Sequence, residues 1–328
     1  MSDGTLSRYN SSTCATASTV GADLADGAAG TIETAGTANC ERYSMPTIRF
    51  SKMSGSGNDF IVIDNRAALF SNLPLPSVAS QLCRRQEGIG ADGLILIETS
   101  RQADFRWRFF NADGSQADMC GNGGRCAARF AYEHQICGSS LSFETGAGII
   151  HAEVRGSNVR IQLPQPHDLF LHRSISVQDI PLHVQSINTG VPHVIVRVTD
   201  LESAPVTDLG RAIRFHPEFQ PAGTNVNFIR VDDRHTIHVR TYERGVEDET
   251  LACGTGSVAS ALVAAAVDEV DSPVCVKTRG GEILTVSFNR QGVSEFIEVF
   301  LEGETCLAFE GVLCIDLLRR IGIEDTPS

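Results

Sequence analysis

Met119-Cys-Gly-Asn-Gly-Gly-Arg-Cys-Ala-Ala-Arg-Phe-Ala131 and Ala252-Cys-Gly-Thr-Gly-Ser-Val-Ala-Ser-Ala-Leu-Val-Ala264 are two versions of one pattern. Each is a cysteine, a glycine turn and a run of small apolar residues. That order predicts a helix fed by a glycine-rich turn. Cys120 falls on Cys253 at an offset of 133 residues. The same offset lays Gly57-Asn-Asp-Phe-Ile-Val62 on Gly190-Val-Pro-His-Val-Ile195, and Gly90-Ala-Asp-Gly-Leu-Ile95 on Gly223-Thr-Asn-Val-Asn-Phe228. It also lays Arg108-Phe-Phe-Asn111 on Thr241-Tyr-Glu-Arg244. One such match would be chance; four in order predict two copies of one domain.

Each copy reads alike. Apolar, β-branched runs predict strands at 60–63 and 194–198, then 94–97 and 227–231, then 105–109 and 236–242. The small-residue helices are expected over roughly 125–133 and 257–267. Further strands are expected at 149–154, 159–163, 283–288 and 296–301. A strand-rich copy with one main helix is an α+β domain rather than a βαβ ladder.

Length agrees, since 328 residues predict about two domains. No apolar run is long enough to span a membrane. A net charge of −13 argues against a nucleic-acid partner, which needs clustered cations. Ten cysteines with no CxxC pair fit neither a disulfide-stapled mini-domain nor structural zinc. Lys52 and Lys277 are the only lysines, which makes a lysine-anchored pyridoxal cofactor a poor fit. Residues 1–44 include 26 Ser, Thr, Gly or Ala and show no hydrophobic period. They read as a disordered extension. An early start codon with Met45 as the true first residue is the equal alternative. A divergent transit peptide is the lesser one, because the stretch holds five acids against two arginines.

The repeated cysteines carry the chemistry. Glycines let backbone approach a ligand closely. The free N–H groups of a first helical turn hold an anion there, and the same field favours thiolate over thiol. The expectation is therefore two thiols of lowered pKa, each beside an anion site. A tight strand-to-helix turn with an inert thiol explains one such motif; two at equivalent positions point to function. Two weak acids facing each other suit inversion of a stereocentre. One takes a proton from one face and the other returns one to the opposite face. Without an electron-sink cofactor, the helix starts would have to stabilise the carbanion electrostatically. Redox pairs usually sit close in sequence, which these do not.

On these residues the chain resembles the diaminopimelate epimerases, cofactor-independent enzymes of bacterial and plant lysine biosynthesis. The matching stretches are Phe50-Ser-Lys-Met-Ser-Gly-Ser-Gly-Asn-Asp-Phe60, Phe110-Asn-Ala-Asp-Gly114, Met119-Cys-Gly-Asn-Gly-Gly-Arg-Cys126, Tyr242-Glu-Arg-Gly245 and Ala252-Cys-Gly-Thr-Gly256. They run in order through the core. The resemblance implies two pseudo-symmetric homologous α+β domains, each a strongly curved, mostly antiparallel sheet wrapped around a central helix. The implied domains are 45–163, completed by about 304–320, and 164–303. It implies that Cys120 and Cys253 are the acid/base thiols that interconvert LL- and meso-2,6-diaminopimelate. Gly121, Asn122, Gly254 and Thr255 would hold the reacting carboxylate. Asn58, Asn111, Asn225 and Arg244 would hold polar groups at the distal end, and Glu243 an ammonium. His193 and Glu243 would tune the thiols. No cofactor or metal is implied, and the enzyme would be a cytoplasmic homodimer with no membrane or nucleic-acid partner. For each polar residue a turn or cap role is the plain alternative.

Two positions depart from the common family pattern. Val191 stands where many members carry Asn, and Gly93 where many carry Gln. They keep alive a related cofactor-independent racemase or epimerase of histidine or proline type. A binding module that uses the same cleft is less consistent, because binding alone needs no thiols. Gly88-Ile-Gly-Ala-Asp-Gly93 matches the dinucleotide fingerprint in form, but a strand rather than a helix is expected after it. Cys83, Cys126, Cys137, Cys275, Cys306 and Cys314 read as small buried hydrophobes.

Overall fold

The computed structural model describes residues 47–292 and 295–323. The 1–44 extension and the Met45 start lie outside the described residues.

The first copy runs β1 (Arg49–Gly55), β2 (Asn58–Asp64), α1 (Leu75–Cys83), β3 (Gly93–Glu98), β4 (Phe105–Asn111), β5 (Gln116–Ala117), α2 (Gly121–Glu133), β6 (Ser140–Thr145), β7 (Gly148–Arg155) and β8 (Asn158–Gln162). The second opens with β9 (His167–Val177). It repeats the series as β10 (Ile180–Asn188), β11 (Pro192–Arg197), α3 (Val206–Arg214), β12 (Asn225–Asp233), β13 (Thr236–Glu243) and β14 (Asp248–Thr250). It then continues through α4 (Gly254–Ala266), β15 (Val274–Lys277), β16 (Ile283–Gln291) and β17 (Glu295–Glu304). The chain ends with β18 (Cys306–Val312) and α5 (Ile315–Arg320).

Pairing repeats with the order. β2–β3 and β4–β6 are parallel, as are β11–β12 and β13–β15; the other ladders are antiparallel. β9 pairs with β10 ahead of the second copy, and β18 returns from the chain end to pair with β1. The fold is the two-domain α+β arrangement expected, mostly sheet with few helices. The glycine-rich stretch before Gly93 feeds β3, so the dinucleotide reading fails as argued.

Register corrects the single offset. Phe60 pairs with Gly93, whereas His193 pairs with Asn225. Gly93 pairs with Asn111, and Val226 with Tyr242, so Asn225 stands opposite Glu243. Gly93 therefore corresponds to Asn225 and Asn111 to Glu243, an offset of 132. The connection from β2 to β3 is one residue shorter in the second copy, and that from β4 to α2 one longer. Core faces agree: Ile95 and Ile97 share a core with Ile229, while Leu94 and Leu96 pack on the opposite face. A slip of one residue would have turned each strand inside out.

Helices α2 and α4 lie inside the sheets. α4 is buried all round, as a helix wrapped by strands must be. One core joins α2 and α4 with the inner strand faces. The outer faces are covered by α1 and α5 in the first copy and by α3 in the second. The copies meet where β8 pairs with β17. Leu141 pairs with Ala152 and Ala152 with Ile161; Val274 pairs with Val286 and Val286 with Leu301. Ile161 and Leu301 are thus equivalent, and they pair with each other. The pseudo-twofold axis passes between them. Among the described residues no helix is long and apolar enough to cross a membrane.

Candidate active site

Both helices start earlier than expected. Cys120 caps α2 and Cys253 caps α4, each with extended backbone, so the glycines that follow form the first turn. Glycine is a poor helix former, which hid these turns from periodicity. The cap supplies what propensity lacks: Gly123 N–H donates to Cys120 Sγ at 3.5 Å. Cys253 Sγ lies 3.6 Å from Thr255 Oγ1.

The two helix starts meet at the axis. A Cβ on Gly121 would stand 3.7 Å from Leu301 Cδ2 and 3.9 Å from Ile161 Cδ1. A Cβ on Gly254 would stand 3.0 Å from Leu301 Cδ2 and 3.4 Å from Asn122 Oδ1. The structure therefore brings Cys120, Gly121, Asn122, Cys253, Gly254 and Thr255 into one place. First-turn N–H groups from two helices converge there.

The expected low thiol pKa values are not found. Burial pushes Cys120 up, and the amides of Gly123 and Asn122 and the charge of Arg125 only partly offset it. Burial first, then Glu243, pushes Cys253 up to about 12. Helix-start fields act as anticipated, but desolvation outweighs them. Glu243 is itself raised by burial, and its Oε2 accepts from Thr250 Oγ1 at 2.9 Å.

His193 is 1% exposed and lies on β11. Burial, then the charge of Arg244, pulls its pKa down to about 3. The ring is neutral in the physiological range. Asn227 Nδ2 donates to His193 Nδ1 at 3.1 Å, which leaves the proton on Nε2. Asn227 Oδ1 accepts from Thr241 Oγ1 at 2.9 Å, so the amide is fixed. That Nε2 is buried with no protein partner. Sequence reading missed Asn227. It sits two residues beyond Asn225 on the same strand face, and nothing in its type distinguished it.

The asparagines are engaged with protein groups. Asn122 Nδ2 donates to Asn58 Oδ1 at 2.9 Å, and Asn58 Nδ2 to Asp92 Oδ2 at 3.0 Å. Asp92 and Asp59 share Arg85, and Asp59 also pairs with buried Lys52 at 2.6 Å. Asn111 Nδ2 donates to Ser115 Oγ at 2.9 Å. Asn225 Nδ2 donates to Pro192 O at 3.1 Å, and its Oδ1 accepts from Arg244 N–H at 2.9 Å. Arg244 Nη1 donates to Ala222 O at 2.9 Å. Asn58, at the start of β2, and Asn225, at the start of β12, thus brace the site from strands that are not equivalent in the two copies.

Gly93 has no room for a side chain. A Cβ there would fall 2.5 Å from Phe109 Cε2 and 2.8 Å from Phe110 O. Of the six other cysteines in the described residues, Cys83 and Cys126 are buried, and Cys137 and Cys275 are partly so. Cys306 and Cys314 are exposed, against expectation, because β18 is an edge strand with one neighbour and α5 is a short surface turn. A groove of about 390 Å³ beside Asn65, Arg66, Arg106 and Arg108 shares no residue with the cysteine site. Among the described residues no three His, Cys, Asp or Glu side chains are grouped to hold a metal ion.

Comparison with known proteins gives one family. The family model for diaminopimelate epimerase matches residues 50–164 and 185–300, one stretch in each copy. The diaminopimelate epimerase of Aquifex aeolicus is 49% identical over 283 residues, covering 83% of this chain and 100% of that one. That of Hydrogenobaculum sp. is 43% identical over 279 residues, covering 81% and 99%. Among solved structures, a phenazine biosynthesis protein of the PhzF family from Bacillus anthracis superposes with a TM-score of 0.63 at 18% identity. It covers 83% of this chain and 100% of its own, and it speaks for the fold alone.

Proposed function

The chain belongs to the diaminopimelate epimerase family, and from that premise we propose that Cys120 and Cys253 are the two proton-transfer groups of the site. The protein is an isomerase of 2,6-diaminopimelate, in lysine biosynthesis. The reaction inverts one α-carbon, between the LL and meso forms. One cysteine, as thiolate, removes the α-proton from one face. The other, as thiol, delivers a proton to the opposite face. The first-turn N–H groups of Gly121, Asn122, Gly254 and Thr255 hold the adjoining carboxylate, where negative charge grows as the C–H bond breaks. Burial that raises the thiols also strengthens these dipoles. Thiols of raised pKa are stronger bases once ionised, which suits a weakly acidic C–H bond.

The observation that carries this reading is the meeting of two cysteine-capped helix starts at Leu301 and Asn122. Glu243 and Arg244 are assigned to the distal ammonium and carboxylate, with Asn58, Asn111 and Asn225 as their braces and ligands. His193 acts as a neutral neighbour held by Asn227. We take the domains as 45–163, completed by about 304–320, and 164–303, a reading that the return of β18 to pair with β1 supports. Family resemblance supports a cytoplasmic homodimer, which sedimentation would test.

The deciding experiment follows α-proton exchange in heavy water together with product stereochemistry. Cys120→Ala and Cys253→Ala are each expected to lose epimerisation by at least roughly a hundredfold while staying folded. Wild-type turnover in either variant would overturn the two-thiol scheme.

A further inference from the structure

The pseudo-symmetry supplies a control for the outer faces of the two copies. In the second copy the polar groups beyond α3 are all engaged. Arg230 and His238 both pair with Asp232, at 3.0 and 2.7 Å. Arg240 makes two bonds of 2.7 Å to Glu249. Its Nη1 also donates to Leu201 O at 2.8 Å and to Glu202 O at 3.0 Å.

The first copy leaves the same place open. Strand pairing makes Glu98, Arg106 and Arg108 the mates of Arg230, His238 and Arg240. Asn65 is the mate of Val198: Asn65 N–H donates to Ile97 O at 2.7 Å, and Val198 N–H to Ile229 O at 3.0 Å. These four residues line the groove of about 390 Å³, with Phe70, Leu73 and the start of α1. Arg106 is exposed. It pairs along the strands with Glu98 and Glu144, yet among the described residues it forms no ion pair with either. Arg108 has a 3.5 Å approach to Glu98 Oε1 and lies 5.6 Å from the Phe110 ring centre. At the rim, Arg66 is occupied by Asp64.

Asn65 is the residue that calls for a reason. It is 6% exposed, and its Nδ2 donates to Glu98 Oε1 at 3.0 Å. Its Oδ1 is buried with no protein partner. A buried acceptor left unpaired costs about 1–3 kcal/mol. Val198 shows that the fold itself accepts an apolar residue there. Helix α1 begins at the same groove with no side-chain cap and no acid in its first turn. Its first N–H groups add positive potential.

Donors and acceptors therefore share one groove. Arg106, Arg108 and the α1 start suit a carboxylate. Glu98 and the unpaired Asn65 Oδ1 suit an ammonium. Phe70 and Leu73 give an apolar wall, and the volume is that of a small-molecule site. We propose that this groove is a second ligand site, which takes an α-amino acid with an aliphatic side chain. It shares no residue with the cysteine site and does not depend on the two-thiol reading.

The test is calorimetric titration of L-leucine into the full chain. Leucine is expected to bind, while 4-methylpentanoate and 3-methylbutylamine, each lacking one charged end, should bind at least about tenfold more weakly. Arg106→Ala and Asn65→Val should each weaken leucine by at least about tenfold and keep the wild-type rate of epimerisation. Retained turnover shows that the cysteine site is intact in both variants. No leucine binding up to about 10 mM would overturn the proposal. So would leucine affinity unchanged in both variants, which would place it elsewhere on the protein. Equal affinity for 4-methylpentanoate, or inorganic phosphate bound in leucine's place, would overturn the amino acid assignment. Should Asn65→Val not fold, Arg106→Ala decides it, because that side chain is exposed.

Discussion

The Cδ2 methyl of Leu301 lies 3.0 Å from the place a Cβ on Gly254 would take. Leu301 is the pseudo-symmetry mate of Ile161, and the same methyl is 3.7 Å from a Cβ position on Gly121. One side chain on the axis therefore spaces both helix starts. The glycines of the two motifs are required to different degrees, and packing says which.

Gly256 is the strict one. A Cβ there would fall 2.3 Å from Asn227 Oδ1, the amide that fixes His193 and Thr241. Gly256→Ala should destabilise by about 1–3 kcal/mol and lower turnover, because Asn227 must move. Gly121→Ala meets only ordinary contacts and should stay within about 0.5 kcal/mol. Urea unfolding of both variants checks the order; equal losses would show that the Asn227 contact relaxes freely.

The rate should climb with pH. The reaction needs one thiolate, and burial holds both thiols above their ordinary range, Cys253 at about 12. Raising the pH raises the thiolate fraction. On a logarithmic scale kcat/KM should then rise by about one per pH unit across the neutral range. Glu243 pushes both thiols up. Glu243→Gln should therefore move this limb to lower pH, by roughly half a unit or more, whatever it does to KM. A limb that stays or moves upward would mean that the carboxylate does not bear on the thiols.

The meeting of the two helix starts was legible in the residues because the Cys-Gly-x-Gly pattern is written twice. Cys120 and Cys253 stood out through their equivalence, which a count of ten cysteines conceals. The strands of both copies were legible too, since their apolar runs alternate between two covered faces. The one-residue slip was not, because Phe109-Phe110 and Tyr242 are all apolar and fit either register; only pairing separates them. Helices α1 and α3 escaped notice: each is nine residues long and neither has a side-chain cap. Thiol pKa was misjudged for another reason. Sequence shows the helix start that lowers it, whereas the burial that raises it belongs to the tertiary fold.

His193 makes stability depend on pH. Folded, it titrates at about 3; unfolded, at its ordinary 6.5. Between those values the unfolded chain binds a proton that the folded protein refuses. Stability is therefore full above about 6.5 and falls as the pH drops toward 3, by about 2 kcal/mol from pH 7 to pH 5. His193→Asn should flatten that part of the profile, at a cost in stability at pH 7 from the lost packing. Urea midpoints at pH 7, 6 and 5 check it. A wild-type slope that survives in His193→Asn would assign the effect to other groups.

Gly93 and Phe109 form the last coupled pair. The ring edge of Phe109 occupies the space a side chain at 93 would need, with Cε2 2.5 Å from the Cβ position. Phe109 is held there by a stack on Trp107 and an edge contact with Phe60. Gly93→Gln alone should cost about 1–3 kcal/mol through overpacking. Phe109→Ile alone should also destabilise, through the volume it removes. Together they should lose less than the sum, with a coupling of at least about 1 kcal/mol, because the ring's space then receives the glutamine. Urea unfolding of the four proteins measures it. Additive stabilities would show that Phe109 swings aside, and that Gly93 is glycine for its backbone rather than for its neighbour.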